Sequence, residues 1–308
     1  MLTDISVAYS NPRYIADEIF PTVMVDKQTD IVPEYDKSHW FRDMADRISE
    51  GGTAPFAGFD VTTTTTYYCD RFGLRYFISD DQRANQDDPF NIDRDATKWV
   101  TDRLMLRRER SFVSDFWSTS VWTTDITGGS TVNKWSDFGT SDPIVDVRTY
   151  KRTVRRLIGR DPNCLVLGDL TYDKLLDHPD VLDRIKYTER GIATQDLLAS
   201  MFGLSKVLVG TSVYTADEEG LAEASVTLSA NWDDDALLLY VPDNPMLMEP
   251  AAGYTFVWRT SSNAGGGPQW MRKYRDEERM GDVVEVRSYY DQKSLVADAG
   301  AFFSGIAD

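Results

Sequence analysis

Apolar residues fall into a helical rhythm over one long stretch of the chain and into short alternating blocks over most of the rest. From Asp88 to about Thr119 there is no glycine and a single proline, Pro89, placed where a first helical position belongs. Asp88 can cap the helix and Pro89 can start it. Ile92, Ala96, Trp99, Val100, Leu104, Phe112, Val113 and Phe116 form an interrupted stripe at helical spacing. A helix of about 28 residues would run about 42 Å, a spine rather than an ordinary packing helix. A Gly/Ser/Thr-rich break at 127–143 follows, and Ile144 to Leu157 resumes helical character with Arg148, Arg152, Arg155 and Arg156.

Shorter elements then alternate. CLVLG (164–168) reads as a buried strand, and LTYDKLLDHPDVLDRIK as helical turns broken at Pro179. ATQDLLASMFG has Thr194 as cap and Gly203 as stop. KVLVGTSVY, ALLLYVP, GYTFVW and VVEVRSYY (283–290) read as strands, and an apolar tail, SLVADAGAFFSGIAD, closes the chain. The region 156–258 therefore predicts one α+β domain.

The first segment, to about residue 35, mixes short apolar stretches with Pro12, Pro21 and Pro33; YIADEIFPTVMV predicts a short helix ended by Pro21, then a strand. It reads as an extended arm that needs a partner surface to become ordered. Residues 35–80 have aromatic and β-branched ends around Gly51-Gly52 and Pro55, with a threonine run at Thr62–Thr66. They predict a long two-stranded excursion. A lone ribbon is marginal in water and has open edges, so it makes sense lying on a neighbouring subunit. Trp40, Phe41, Tyr67, Tyr68, Phe72 and Tyr76 are its candidate contact aromatics, with Arg42, Arg47, Arg71 and Arg75 as charged partners. The competing reading is that these aromatics fill a local core.

Composition narrows the function. The chain has 308 residues, 42% hydrophobic and 27% charged, with a formal net charge of −17. Nucleic-acid binders ordinarily carry the opposite sign, which argues against a DNA-binding regulator. Acidity is compatible with lying near packed DNA without adhering to it. Cys69 and Cys164 are the only cysteines and predict two reduced, part-buried thiols in a cytoplasmic product. The opening MLTDISVAYSNPRY shows no secretory pattern, and no apolar run is long enough to span a bilayer, which predicts no membrane association.

Candidate chemistry is sparse. The two histidines, His39 and His178, read as packing or surface residues, and zinc-ligand spacing, HExxH, GxSxG and P-loop patterns are missing. Gly265–Gly267 lacks the flanking strand and helix that phosphate binding uses. Asp233-Asp234-Asp235 is the best metal candidate, read as a polar loop before ALLLYV because an EF-hand needs alternating ligands and a glycine. Arg107-Arg108-Glu109-Arg110 reads as a solvated or intersubunit salt-bridge face of the long helix. No catalytic residue, cofactor or metal is expected.

The order of these segments resembles the major capsid proteins of tailed bacteriophages, which share the Hong Kong 97-type fold. NPRYIADEIFPTVMV, YYCDRFGLRYFISDDQRANQDDP, RDPNCLVLG, LDHPDVLDRIKY, GLSKVLVGTSVY, NWDDDALLLYVP, GYTFVW and VEVRSYYDQKSLVADAGAFF carry the resemblance in order along nearly the whole chain. It implies an α+β fold with an N-terminal arm (1–34), an extended β-hairpin loop (35–80) and a peripheral domain with the spine helix (81–155). An axial domain (156–258), a return through the peripheral domain (259–292) and a C-terminal segment re-entering the axial domain (293–308) complete it. It also implies homo-pentamers and homo-hexamers of an icosahedral shell around double-stranded DNA, held without sequence-specific binding. That shell would be assembled in the bacterial host cytoplasm, with a separate scaffolding protein, a portal and a decoration protein as further partners. The chain opens directly on the arm, so scaffolding would come from a separate protein or a removed segment. Lys37 and the asparagines match no pattern for a lysine–asparagine crosslink. The rivals are an encapsulin-type nanocompartment shell and, from another class, an acidic metal-dependent hydrolase centred on Asp233–Asp235.

Overall fold

In the computed structural model, residues 14–35, 37, 41–58, 61–62, 65–86, 91–185, 194–245, 249–259 and 269–308 are described. The spine helix spans Ile92–Phe116, 25 residues and about 37 Å. The expected cap at Asp88 and Pro89 lies outside the described residues; the described helix starts under Asn91, whose side chain accepts from the Arg94 N–H at 3.0 Å. Asp93 and Asp95 in the first turn favour the positive end of the helix dipole. The interruption in its apolar stripe has a structural cause. Ala96, Val100 and Leu104 belong to one core, and Phe112 and Phe116 to another. The charged turn between them marks the crossing from one core to the next.

The first core lies under a five-stranded sheet. Strand Gly281–Ser294 is its organiser: it pairs antiparallel with Asp70–Ser79, with Gln269–Asp276 and, at its far end, with Gly253–Trp258. Thr22–Val25 adds to Gly253–Trp258 in parallel. Strand side chains alternate, so Phe72, Leu74, Tyr76 and Ile78 face the spine helix together with Val284, Val286 and Met271.

The second sheet runs Thr124–Thr127, Gly300–Ser304, Ala236–Leu239, Cys164–Gly168, Lys206–Gly210. Helices Pro143–Ile158, Asp169–Asp177, Pro179–Ile185 and Gln195–Phe202 accompany it. CLVLG and ALLL are buried at every position, as strands in the middle of a covered sheet must be. Helix Pro143–Ile158 starts with Asp142 accepting from the Ile144 and Val145 N–H groups and stops at Gly159 in the left-handed conformation. Thr194 and Gly203 bound Gln195–Phe202 in the same way.

Helix Pro143–Ile158 and strand Thr124–Thr127, expected in the peripheral domain, join the second sheet, and Gly253–Trp258, expected in the axial domain, joins the first. The chain's end joins the second sheet, where the resemblance implies a return to the axial domain. The N-terminal segment is no loose arm from Tyr14 onward: helix Ala16–Ile19 is packed into the main core and Thr22–Val25 is a sheet strand. The loop at 35–80 is also shorter than expected, because Asp70–Ser79 pairs over its full length with the long strand. Its two-stranded part reduces to Thr29–Ile31 with Thr66–Tyr68 and Glu34–Tyr35 with Val61–Thr62. Residues 41–58 carry no regular secondary structure and are exposed almost throughout, with Gly51 at φ +79° in the distal turn.

Candidate assembly surfaces

The predicted contact residues divide into three groups. Trp40 lies outside the described residues. Tyr67 is 6% exposed and stacks on Phe256 of the same chain at 4.6 Å, so it offers no contact area to a neighbour. Phe72 is half-buried on Tyr290 (4.6 Å), and Tyr76 meets Trp99 edge-on (5.8 Å). For these three the local-core alternative fits, because the alternation of a paired strand turns them inward. Phe41, Arg42, Arg47, Tyr68, Arg71 and Arg75 are exposed. Phe41 lies against Gly159 and edges a cavity of about 630 Å³ bordered by Val23, Tyr254 and Leu295.

Beyond Phe41, the loop 41–58 is exposed almost throughout. Ile48 is exposed and Phe56 is 105% exposed, with nothing of the subunit over it. Burying a side chain of that size is worth about 2–3 kcal/mol, none of which Phe56 gains within the subunit.

Sequence reasoning misplaced one cluster. Of the run Arg107–Arg110, expected to be a solvated or intersubunit face, Arg107 and Arg110 are exposed, but Arg108 and Glu109 are buried. Glu109, 1% exposed, accepts from Ile15 N–H (3.2 Å), Ala16 N–H (2.9 Å) and Trp232 Nε1–H (2.7 Å). It thus ties the N-terminal helix and the second sheet's Trp232 loop to the spine. Burial pushes its carboxyl up to about 7 against the lowering effect of those three donors. Arg108 pairs with Asp17 (2.9 Å) and lies over the Tyr290 ring. Charge in mid-helix gives no sequence signal that distinguishes a clasp from a wet face.

The enzymatic candidates resolve into structural roles. His178 is buried, with Nε2 2.9 Å from Ser141 Oγ and Nδ1 3.8 Å from Asp180 Oδ2. The trio has the membership of a hydrolase triad but the wrong polarity. His178 Nδ1 accepts from the Asp180 N–H and Ser141 Oγ donates to Asp137 O, so His178 Nε2 carries the proton and donates to the serine. Asp235 accepts from Gly305 N–H (2.7 Å), while the Asp234 carbonyl accepts from Ile306 and Ala307. The aspartate run is a clamp on the C-terminal strand. Among the described residues no group of three or more His, Cys, Asp or Glu converges on a metal position. Nor, among them, is any helix long and apolar enough to cross a membrane. Gly265–Gly267 lie outside the described residues.

A spine helix shared by two cores, a sheet organised by a 14-residue strand, a second mixed sheet closed by the chain's end and an unsupported loop together make the Hong Kong 97-type capsid fold. That fold defines a structural class of shell subunits. No family model matches the chain. It is 28% identical to the major capsid protein of Burkholderia phage BcepMu over 99% of this chain and 95% of that one. It is 27% identical to the major capsid protein of Pseudomonas phage JBD67 over 78% and 75%. Among solved structures, a phage-related protein from Bordetella bronchiseptica superposes with TM-score 0.74 at 20% identity, over 99% of this chain and 96% of that one. The mature capsid of bacteriophage PhiM1 (TM-score 0.54, 10% identity, 96% and 86%) shares the fold. So does the SrpI encapsulin of Synechococcus elongatus (TM-score 0.53, 10% identity, 98% and 91%), a distant likeness of fold alone. Both of these curated relatives are phage major capsid proteins, and the fold of the chain is that of phage capsid subunits.

Proposed function

We propose that copies of this chain associate as pentamers and hexamers in an icosahedral shell enclosing double-stranded DNA, assembled in the bacterial cytoplasm. The carrying observation is the loop at 41–58, whose Phe41, Ile48 and Phe56 are displayed rather than buried. Each loop lies on a neighbouring subunit and is ordered there. Obligate contacts of this kind bury on the order of 2,000 Å² or more. The second sheet, with its helices, packs about the capsomer axis. The protein has no catalytic role: its Ser141–His178 pair and its aspartate run are committed to internal hydrogen bonds. Net charge −17 keeps the shell from gripping DNA. A separate scaffolding protein, a portal and a decoration protein complete the particle.

The test is negative-stain microscopy of the purified protein, expressed with and without a scaffolding partner, beside a variant lacking residues 45–60. Closed shells from the intact chain and only folded, unassembled subunits from the variant are expected. Shells that close without the loop would overturn its role, and small oligomers under every condition would overturn the assembly reading. DNA inside closed particles, rather than a protein cargo, distinguishes the virion shell from the encapsulin type.

A further inference from the structure

The face of the first sheet turned away from the spine helix is divided. At one end Tyr254 and Phe256 are roofed by the chain's own Thr29–Ile31/Thr66–Tyr68 pairing through Tyr67. The rest is open and cationic. Register places Arg71, Gly73 and Arg75 of one strand beside Tyr289, Arg287 and Glu285 of the next. Arg287 and Glu285 lie in turn beside Trp270 and Arg272. Arg272 and Arg287 both pair with the single carboxylate, Glu285, and stack on Trp270; Arg272 also lies 4.6 Å from the Tyr274 ring. Arg71 and Arg75 are exposed and have no ion pair or hydrogen bond among the described residues. In a chain of net charge −17 this is a concentrated positive surface.

Its pattern has a complement in the same chain. Residues two apart on a strand share a face, so Arg71–Gly73–Arg75 presents two guanidiniums on stems about 13 Å apart with a gap between them. Asp46, Ile48 and Glu50, all exposed on the unsupported loop, have the same spacing with opposite chemistry. In the subunit the Gly52 N–H closes a turn on the Ser49 carbonyl at 2.8 Å, with Glu50 inside it. With that turn opened and the stretch drawn out as a strand, the three present carboxylate, apolar side chain and carboxylate on one face, with Arg47 and Ser49 on the other. No ion pair links the two triplets within the subunit among the described residues. We infer that Asp46–Ile48–Glu50 of one copy docks on Arg71–Gly73–Arg75 of a second, its carboxylates on the guanidiniums and Ile48 over the glycine gap. The stem of Arg287, whose Cγ lies 3.3 Å from where a Gly73 Cβ would stand, forms the far wall of that gap. Phosphates could take the two free arginines, but an apolar gap flanked by Glu285 suits a peptide bearing both charge and a branched side chain. The inference rests on the assembly reading and names its receiving surface.

Charge exchange tests it. Arg71→Glu with Arg75→Glu should fold, by circular dichroism, but form no closed shells; Asp46→Arg with Glu50→Arg should do the same. All four substitutions in one chain should restore shells. Assembly of either double variant at the wild-type level, or failure of the fourfold variant to recover shells, overturns the pairing. So does a loss of packaged DNA with closure intact, which would assign the face to phosphate. Independently of how the charge variants fold, Ile48→Cys with Gly73→Cys should give a disulfide-linked ladder of subunits on a non-reducing gel. Monomer bands alone from assembled particles overturn the proposal. If the unsubstituted chain forms no shells, the assembly reading itself has failed, a result separable from all of these.

Discussion

Replacing Glu109 by glutamine should change how stability depends on pH. The carboxyl sits 1% exposed between the spine helix, the N-terminal helix and the Trp232 loop. Desolvation is the largest influence on it and raises it from an ordinary 4.5 to about 7; the Ala16 and Ile15 amides and the Trp232 indole oppose that rise, and the Asp17 charge adds to it. At about 1.4 kcal/mol per pKa unit, a rise of that size corresponds to roughly 3 kcal/mol. Because the folded value lies above the unfolded one, the contribution is fully present below pH 4.5 and is lost as pH rises through about 7. Glutamine does not titrate. Its amide oxygen can keep the Ile15 and Trp232 donors, both of which now reach Oε1, while its NH2 faces the Ala16 N–H, at a cost of about 1–3 kcal/mol. That cost is independent of pH. The stability difference between the two proteins should therefore move by roughly 3 kcal/mol in the variant's favour between pH 5 and pH 8. For a chain of this size that is several degrees of melting temperature. Thermal unfolding of unassembled subunits, wild type and Glu109→Gln, at half-unit steps from pH 5 to 8.5 measures it. Other carboxyls that titrate in the same range, Asp235 among them, cancel in the difference. A gap that stays constant across the series would refute the reasoning, since it would mean Glu109 holds one protonation state throughout.

Three further outcomes follow from the packing. Gly168→Ala should yield no soluble folded subunit, because its Cβ would stand 1.7 Å from the Asp233 carbonyl oxygen; recovery in the soluble fraction checks this. Asp235→Ala should cost about 1–3 kcal/mol by leaving the Gly305 N–H without its acceptor, read as a lowered urea midpoint at unchanged slope. Cys69 and Cys164 are both fully buried with thiols pushed up to about 12 by burial, so neither should react with a disulfide reagent at pH 8 until the protein unfolds.

Elements whose signals are local could be read directly from the residues. Thr194 and Gly203 bound their helix as expected, Pro179 separates two helices, and CLVLG is a fully buried strand. What escaped depended on partners far along the chain. Phe72, Leu74, Tyr76 and Ile78 alternate as any ribbon strand would; only pairing with residues 281–290, some two hundred positions away, makes them sheet core. The closing AGAFFS carries locally only the signal of an apolar tail, and its return to the axial domain is expected from the resemblance alone; Gly300–Ser304 lies between Thr124–Thr127 and Ala236–Leu239 inside the second sheet. Burial of Glu109 is invisible for a related reason: its three donors come from residues 15, 16 and 232.

These long-range closures bear on how such a subunit serves a shell. The second sheet is incomplete until its last strand arrives, and the first is incomplete until Gly281–Ser294 gathers its partners, so neither core can form from the early part of the chain alone. The loop at 41–58 is the opposite case: it contributes to neither sheet, and its Ile48 and Phe56 stay in water when everything else has closed. On the proposed assembly reading, a subunit reaches its folded state with one adhesive element still unspent, to be covered only by another copy. On that reading, folding precedes assembly for a structural reason. In the pairing inferred above, the receiving strand Asp70–Ser79 exists as a paired surface only after the chain's last quarter has been added to the sheet.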